Sequence, residues 1–262
     1  MRRGIAREAL VSIAAPWMLA ISLITIWQGV CVGLQIPAYF LPAPLDVGAA
    51  LVAHAGELLT SAWATLWMAL AALVLAAAIS LPMALLTGLS PIAERAVQPL
   101  AVTLQVTPVV AIAPLVTIWA GLEHAERAII ALAAVVAFFP LFSGALTGLK
   151  SADPDLERLF DLYGAGRGQR LLRLRVPAAA PFVLEGLKVA VGLAVIGAVV
   201  AEFVAGSGEA QGLAWRVLEA EHQLRTAEMF AALAVLAAMA ASLHAIMGFA
   251  EKAILVAWRG RG

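Results

Sequence analysis

The sequence predicts an all-α polytopic membrane protein with about six transmembrane helices, and three observations predict it. Of 262 residues, 63% are hydrophobic and 13% charged, against about 45–50% and about 25% in soluble domains. Mean hydropathy is +0.96. Five stretches without Asp, Glu, Lys or Arg, at 9–45, 58–93, 96–122, 128–149 and 229–250, each reach the roughly 20 residues that a helix needs to cross a hydrocarbon core.

Charge and cysteine content exclude other classes. Seventeen Lys+Arg balance seventeen Asp+Glu, which excludes a polybasic nucleic-acid binder and an acidic disordered chain. Cys31 is the single cysteine, so neither an intrachain disulfide nor a cysteine-based metal cluster can form. No metal and no cofactor is expected.

The spans follow in order within one transmembrane domain over 1–262. The first, 10–34, follows Arg2, Arg3 and Arg7; its apolar run exceeds the 7–15 residues of a signal-peptide core, so it reads as an uncleaved helix. The second is 61–87, the third 99–122, the fourth 127–149 and the sixth 229–250. The fifth, 180–205, is interrupted at its start by Glu185 and Lys188, with Lys188 snorkelling to the interface beside Glu185 on the same helix face. Gly29/Gly33 and Gly144/Gly148 have the small-xxx-small spacing of close helix contacts, but with 21 glycines composition alone accounts for them.

Orientation follows from the basic residues. With the N-terminus inside, fourteen Lys and Arg lie in inner segments, and only Arg127, Arg216 and Arg225 lie outside. Both termini are therefore expected in the cytoplasm.

Some residues within the spans stand out. The third carries Gln105, Thr107, Pro108 and Pro114. Proline frees carbonyls that neighbours or a water-lined cavity must satisfy, so this reads as a bent helix lining a path or as a kinked packing helix. Glu202 ends the fifth span. It is either an outer gate or binding-protein contact, or an interfacial carboxylate in water. Glu209, Glu219, Glu221 and Glu228 follow it, a solvated face or a partner surface. His244, inside the sixth span, reads as a packing residue.

The longest inner loop, 150–177, is the most informative stretch. Asp153 as N-cap, Pro154 at the first helical position, and Asp155 and Glu157 in the first turn start a helix, which Gly164 stops. Leu156, Leu159, Phe160 and Tyr163 share one face of it, with Arg158 and Asp161 flanking. A basic amphipathic stretch from Arg167 to Arg175 follows and ends at Val176-Pro177. The apolar face lies either in the bilayer interface or in a groove on a cytoplasmic partner.

Gly164 followed by Leu174-Arg175-Val176-Pro177 resembles the loop signature of ABC-importer permeases, a glycine and then, after nine intervening residues, aliphatic-x-aliphatic-Pro. Further pieces resemble the nitrate/sulfonate/taurine-type branch of binding-protein-dependent inner membrane components. They are Ile36-Pro37-Ala38-Tyr39-Phe40-Leu41-Pro42-Ala43-Pro44, Gln105-Val106-Thr107-Pro108 through Pro114-Leu115, Phe138-Phe139-Pro140, and Gly197 through Glu202-Phe203-Val204. The sequence departs from the branch at Arg158 and Phe160, where Glu and Ala are usual, with Glu157 displaced by one. The usual Gly-Leu-Gly after the fifth span reads Gly212-Leu213-Ala214.

The resemblance implies a type I ABC importer permease fold in a bacterial inner membrane. It implies a homodimer, two cytoplasmic ABC ATPase subunits and an extracytoplasmic solute-binding protein that delivers a small solute such as nitrate, a sulfonate, taurine or a related organic compound. Leu156, Glu157, Arg158, Leu159, Phe160, Asp161, Tyr163 and Gly164 would then form the coupling helix that docks on the ATPase, and Gln105, Thr107, Pro108, Pro114 and Glu202 the path or gate. The chain has no G-x-x-x-x-G-K-[ST] and is expected not to be an enzyme. The alternatives are an ion-coupled secondary transporter, although the spans show no charged pair at mid-depth or inverted repeat, and an intramembrane hydrolase, although H-E-x-x-H and G-x-S-x-G are absent.

Overall fold

Proline sets several helix boundaries in a computed structural model of the chain, which describes residues 2–121, 123–205 and 212–259, with side chains from residue 14 to 257 of these. Pro44, Pro91 and Pro154 each stand in a first helical turn, where the missing N–H costs nothing. The order is α1 (Arg2–Gly33), α2 (Pro44–Ala53), α3 (Ala55–Leu89), α4 (Pro91–Val106), α5 (Val109–Ala120), α6 (Ala125–Lys150), α7 (Pro154–Leu162), α8 (Arg167–Arg170), a π-turn (Leu171–Arg175), α9 (Val176–Ala205), α10 (Leu213–His222) and α11 (Thr226–Arg259). No strand occurs among the described residues.

Where the sequence suggests one domain over 1–262, packing divides the chain into two compact units, 1–59 with 216–235 and 60–215 with 236–262. Helices α3, α10 and α11 run through both, so no linker composition marks the boundary. In the first unit, the Trp27 and Phe230 rings lie 5.7 Å apart. Gln28 accepts a hydrogen bond from the Leu45 amide, and the Thr226 hydroxyl donates to the Tyr39 carbonyl.

The second unit is organised on α6 and α9. A Cβ at Gly144 would lie 2.8 Å from the Phe182 carbonyl oxygen, at Gly148 2.8 Å from Ala179 Cα, at Gly186 2.7 Å from the Pro140 carbonyl oxygen, and at Gly197 2.9 Å from Ala133 Cα. The two backbones are therefore in contact along four levels. Composition alone does not explain Gly144 and Gly148, contrary to expectation; Gly29 and Gly33 have open space beside them. Helix α5 joins this core through Ala113, and α3 through Met68, Ala69, Ala72 and Ala76.

Three expectations need correction. The third span, 99–122, is not one helix: α4 and α5 meet at a 100° bend. Thr107 and Pro108 are both extended, because proline pushes the residue before it out of helical geometry and offers no N–H itself. At 1.5 Å per residue the two pieces reach about 24 and about 18 Å, so neither crosses alone. Among the described residues five helices are long and apolar enough to cross, or six if the bent pair is one span. The basic stretch does not end at Val176-Pro177, since α8, the π-turn and α9 run on without a break. Nor does Lys188 snorkel freely: it pairs with Glu251 of α11 at 3.1 Å.

Candidate functional site

The loop after α6 is built from its caps. The Asp153 carboxylate accepts the Asp155 amide at 2.8 Å, and Gly164 takes φ +64°, a left-handed turn that glycine adopts without strain. Between them α7 presents Leu156 and Leu159, each 44% exposed, with Phe160 half-buried and Tyr163 exposed. Leu162, which the periodicity does not single out, is also exposed. Leu159, Phe160 and Tyr163 line a cleft of about 270 Å³ with Ala165, Gln169 and Arg173. Among the described residues the ridge stays open to solvent.

The acids of α7 differ in direction from the ridge. Glu157, expected among the docking residues, accepts from Arg175 Nε at 2.7 Å and lies 3.4 Å from Arg170 Nη1. Asp161 pairs with Arg170 as well. Arg158 reaches only Asp155, at 3.0 Å on an open surface, where an ion pair contributes little. Of the loop signature, Leu174 is buried with Leu171 in the π-turn, and Leu171 packs on Leu149 and Ala179. Val176 stays exposed and Pro177 half-buried in the first turn of α9. Sequence reasoning did not assign Arg170 and Arg175 to the α7 acids, because only the π-turn brings them round.

At the other end of α9, Glu202 is fully buried. It is therefore not a carboxylate in interfacial water. Thr65 Oγ1 of α3 donates to Glu202 Oε2 at 3.4 Å and accepts the Leu213 amide at 2.8 Å, while the Ala214 amide donates to the same Oε2 at 3.1 Å. The Gly212 amide also faces the carboxylate. These bonds tie the start of α10 to α3 and α9. Glu209 lies outside the described residues.

The remaining candidates separate. Gln105, Pro108 and Pro114 are exposed around the bend, and Thr107 is half-buried. Thr107 also lines an apolar groove of about 400 Å³ with Leu100, Leu104 and Phe138. His244 is exposed on α11 rather than packed. The first unit holds a polar cleft of about 560 Å³ lined by His54, Glu57, Arg216, Glu219, Arg225 and Glu228. Its polar groups pair across it, with Arg216 3.0 Å from Glu57 and His54 3.5 Å from Glu228. The acids at 219 and 228 were visible in the sequence; their basic partners were not assigned.

Residues 76–255 match the family described as binding-protein-dependent transport system inner membrane component. The chain is 31% identical to a probable ABC transporter permease protein of Haemophilus influenzae, over 89% of this chain and 94% of the relative. It is 32% identical to a formylaminopyrimidine transport permease protein of Halalkalibacterium halodurans, over 93% and 95%. It is also 32% identical to a taurine transport system permease protein of Escherichia coli, over 83% and 80%.

Proposed function

Because the chain belongs to the binding-protein-dependent inner membrane component family, and is thus an ABC transporter permease subunit rather than an enzyme, we propose that α7 is the coupling helix of an ATP-driven importer. Two copies of the permease form the path and two cytoplasmic ATPase subunits dock on the α7 ridges. A solute-binding protein delivers the cargo at the opposite face. The observation that carries this reading is the ridge of Leu156, Leu159, Phe160 and Tyr163, displayed on a capped helix in the most basic loop of the chain. Large apolar side chains facing water are costly unless a partner covers them.

The cargo on this reading is a small polar organic solute of the kind named in the relatives, a sulfonate such as taurine or an aminopyrimidine. The polar cleft at His54, Glu57, Arg216 and Glu228 offers charged groups to the binding protein. Gln105, Thr107, Pro108 and Pro114, at the α4–α5 bend, line the path.

Phe160→Asp and Leu159→Asp test the docking. Losing an apolar interface anchor costs about 2 kcal/mol or more, so each variant should purify at wild-type yield from membranes without its ATPase. Recovery of the ATPase at wild-type stoichiometry would overturn the reading. Calorimetry of the neighbouring binding protein with taurine, an alkanesulfonate and an aminopyrimidine then assigns the cargo.

A further inference from the structure

The acids of α7 and the arginines at the base of α9 form a network that docking itself does not use. Glu157 and Asp161, four residues apart, share one side of α7 and point away from the apolar ridge onto Arg170 and Arg175. The side chains of Glu157, Arg170 and Arg175 are only 20%, 24% and 33% exposed, whereas those of the Arg158–Asp155 pair are 78% and 84% exposed. A half-buried, shared network holds its members far better than an exposed pair.

The backbone is shaped for this contact. Arg170 and Arg175 are five residues apart, and in an α-helix they would point about 140° apart. The π-turn Leu171–Arg175, closed by the Val176 amide on the Leu171 carbonyl, brings residues five apart to one side. Both guanidinium groups therefore reach the one Glu157 carboxylate. The same turn buries Leu171 against Leu149 of α6 and Ala179 of α9, so the network ends in the helix core rather than in a loop.

We infer that Glu157 is a positioning residue, a clamp that holds α7 to the π-turn through Arg170 and Arg175 so that the docking helix and span α9 move as one body. The inference rests on the docking role proposed above for its use in transport, and the geometry of the clamp lies within one chain.

The test uses the full chain in lipid nanodiscs with Cys31→Ser, spin labels at Leu162→Cys and Ile196→Cys, both exposed on the single chain, and labelled chains diluted with unlabelled ones. Double electron–electron resonance should give one narrow distance. In Glu157→Gln the distribution should roughly double in width, as expected when a shared ionic network rather than an exposed pair is removed. Glu157→Asp, which keeps a carboxylate facing Arg170 and Arg175, should broaden it less than the isosteric Glu157→Gln, which a general packing defect would not allow. Glu157→Gln should still co-purify with the ATPase, unlike Phe160→Asp. A broad distance in the native chain, or an unchanged width in Glu157→Gln, overturns the clamp. Loss of the ATPase by Glu157→Gln at unchanged width makes Glu157 a docking group and also overturns it. Retention of the ATPase by Phe160→Asp would remove the docking role and leave the distance result standing.

Discussion

Gly212 has no room for a side chain: a Cβ there would collide with the Glu202 carboxylate and with Thr65 Oγ1. Gly212→Ala should therefore lower stability by roughly 1–3 kcal/mol, the usual cost of overpacking. Thr65→Val, which leaves the buried Leu213 amide without its acceptor, should cost a similar ~1–3 kcal/mol. Thr65→Ser keeps the hydroxyl and should lose far less. Thermal unfolding of the purified variants in one detergent ranks them, and a melting point of Gly212→Ala equal to that of the native chain would remove the tether. Glu202 was legible in the sequence as an acid at the end of a span. Its partner was not, because Thr65 lies 137 residues away and a threonine in an apolar run carries no signal of its own. Ala214 is accommodated beside Glu202 because its amide, not its side chain, meets the carboxylate.

At the scale of elements, the contact between α6 and α9 rests on missing side chains, and one pair of glycines on α9 tests this. A Cβ at Gly186 would approach the Pro140 carbonyl oxygen to 2.7 Å, whereas Gly192 has nothing within 4 Å. Gly186→Ala should destabilise by roughly 1–3 kcal/mol, and Gly192→Ala should be neutral or gain up to about 1 kcal/mol of helix propensity. Equal effects at both positions would show that the close approach is not what glycine serves here. Elements whose signals are local could be read directly: Asp153, Pro154 and Gly164 bound α7 on the page as they do in space. The bend at Thr107-Pro108 was half legible, since two prolines announce a distortion but not a 100° turn. The π-turn was not legible, because its cause is shared among Leu171 in the core, Arg170 and Arg175 on Glu157, and Pro177 without an N–H.

For the whole molecule, the number of crossings depends on α4 and α5. Fourteen of seventeen basic residues fall on one side if the chain starts inside and crosses six times, and on that bias we propose that both termini lie in the cytoplasm. Six crossings require the bent pair to traverse the bilayer. About 24 Å of α4 and about 18 Å of α5, joined at 100°, can do so only as one broken span against a core of about 30 Å. If the pair instead entered and returned on the same side, Ser90 and Glu123 would share a face, five crossings would remain, and the termini would lie on opposite sides. Single cysteines at Ser90, Glu123 and Gly164, each in a Cys31→Ser chain, decide this with a membrane-impermeant maleimide on intact cells. Only Glu123→Cys should react before lysis, while Ser90→Cys and Gly164→Cys react after it. Labelling of Ser90→Cys and Glu123→Cys together from one side would make α4–α5 a re-entrant pair and reduce the chain to five spans. Labelling of Gly164→Cys in intact cells would invert the orientation and take α7 out of reach of any cytoplasmic ATPase.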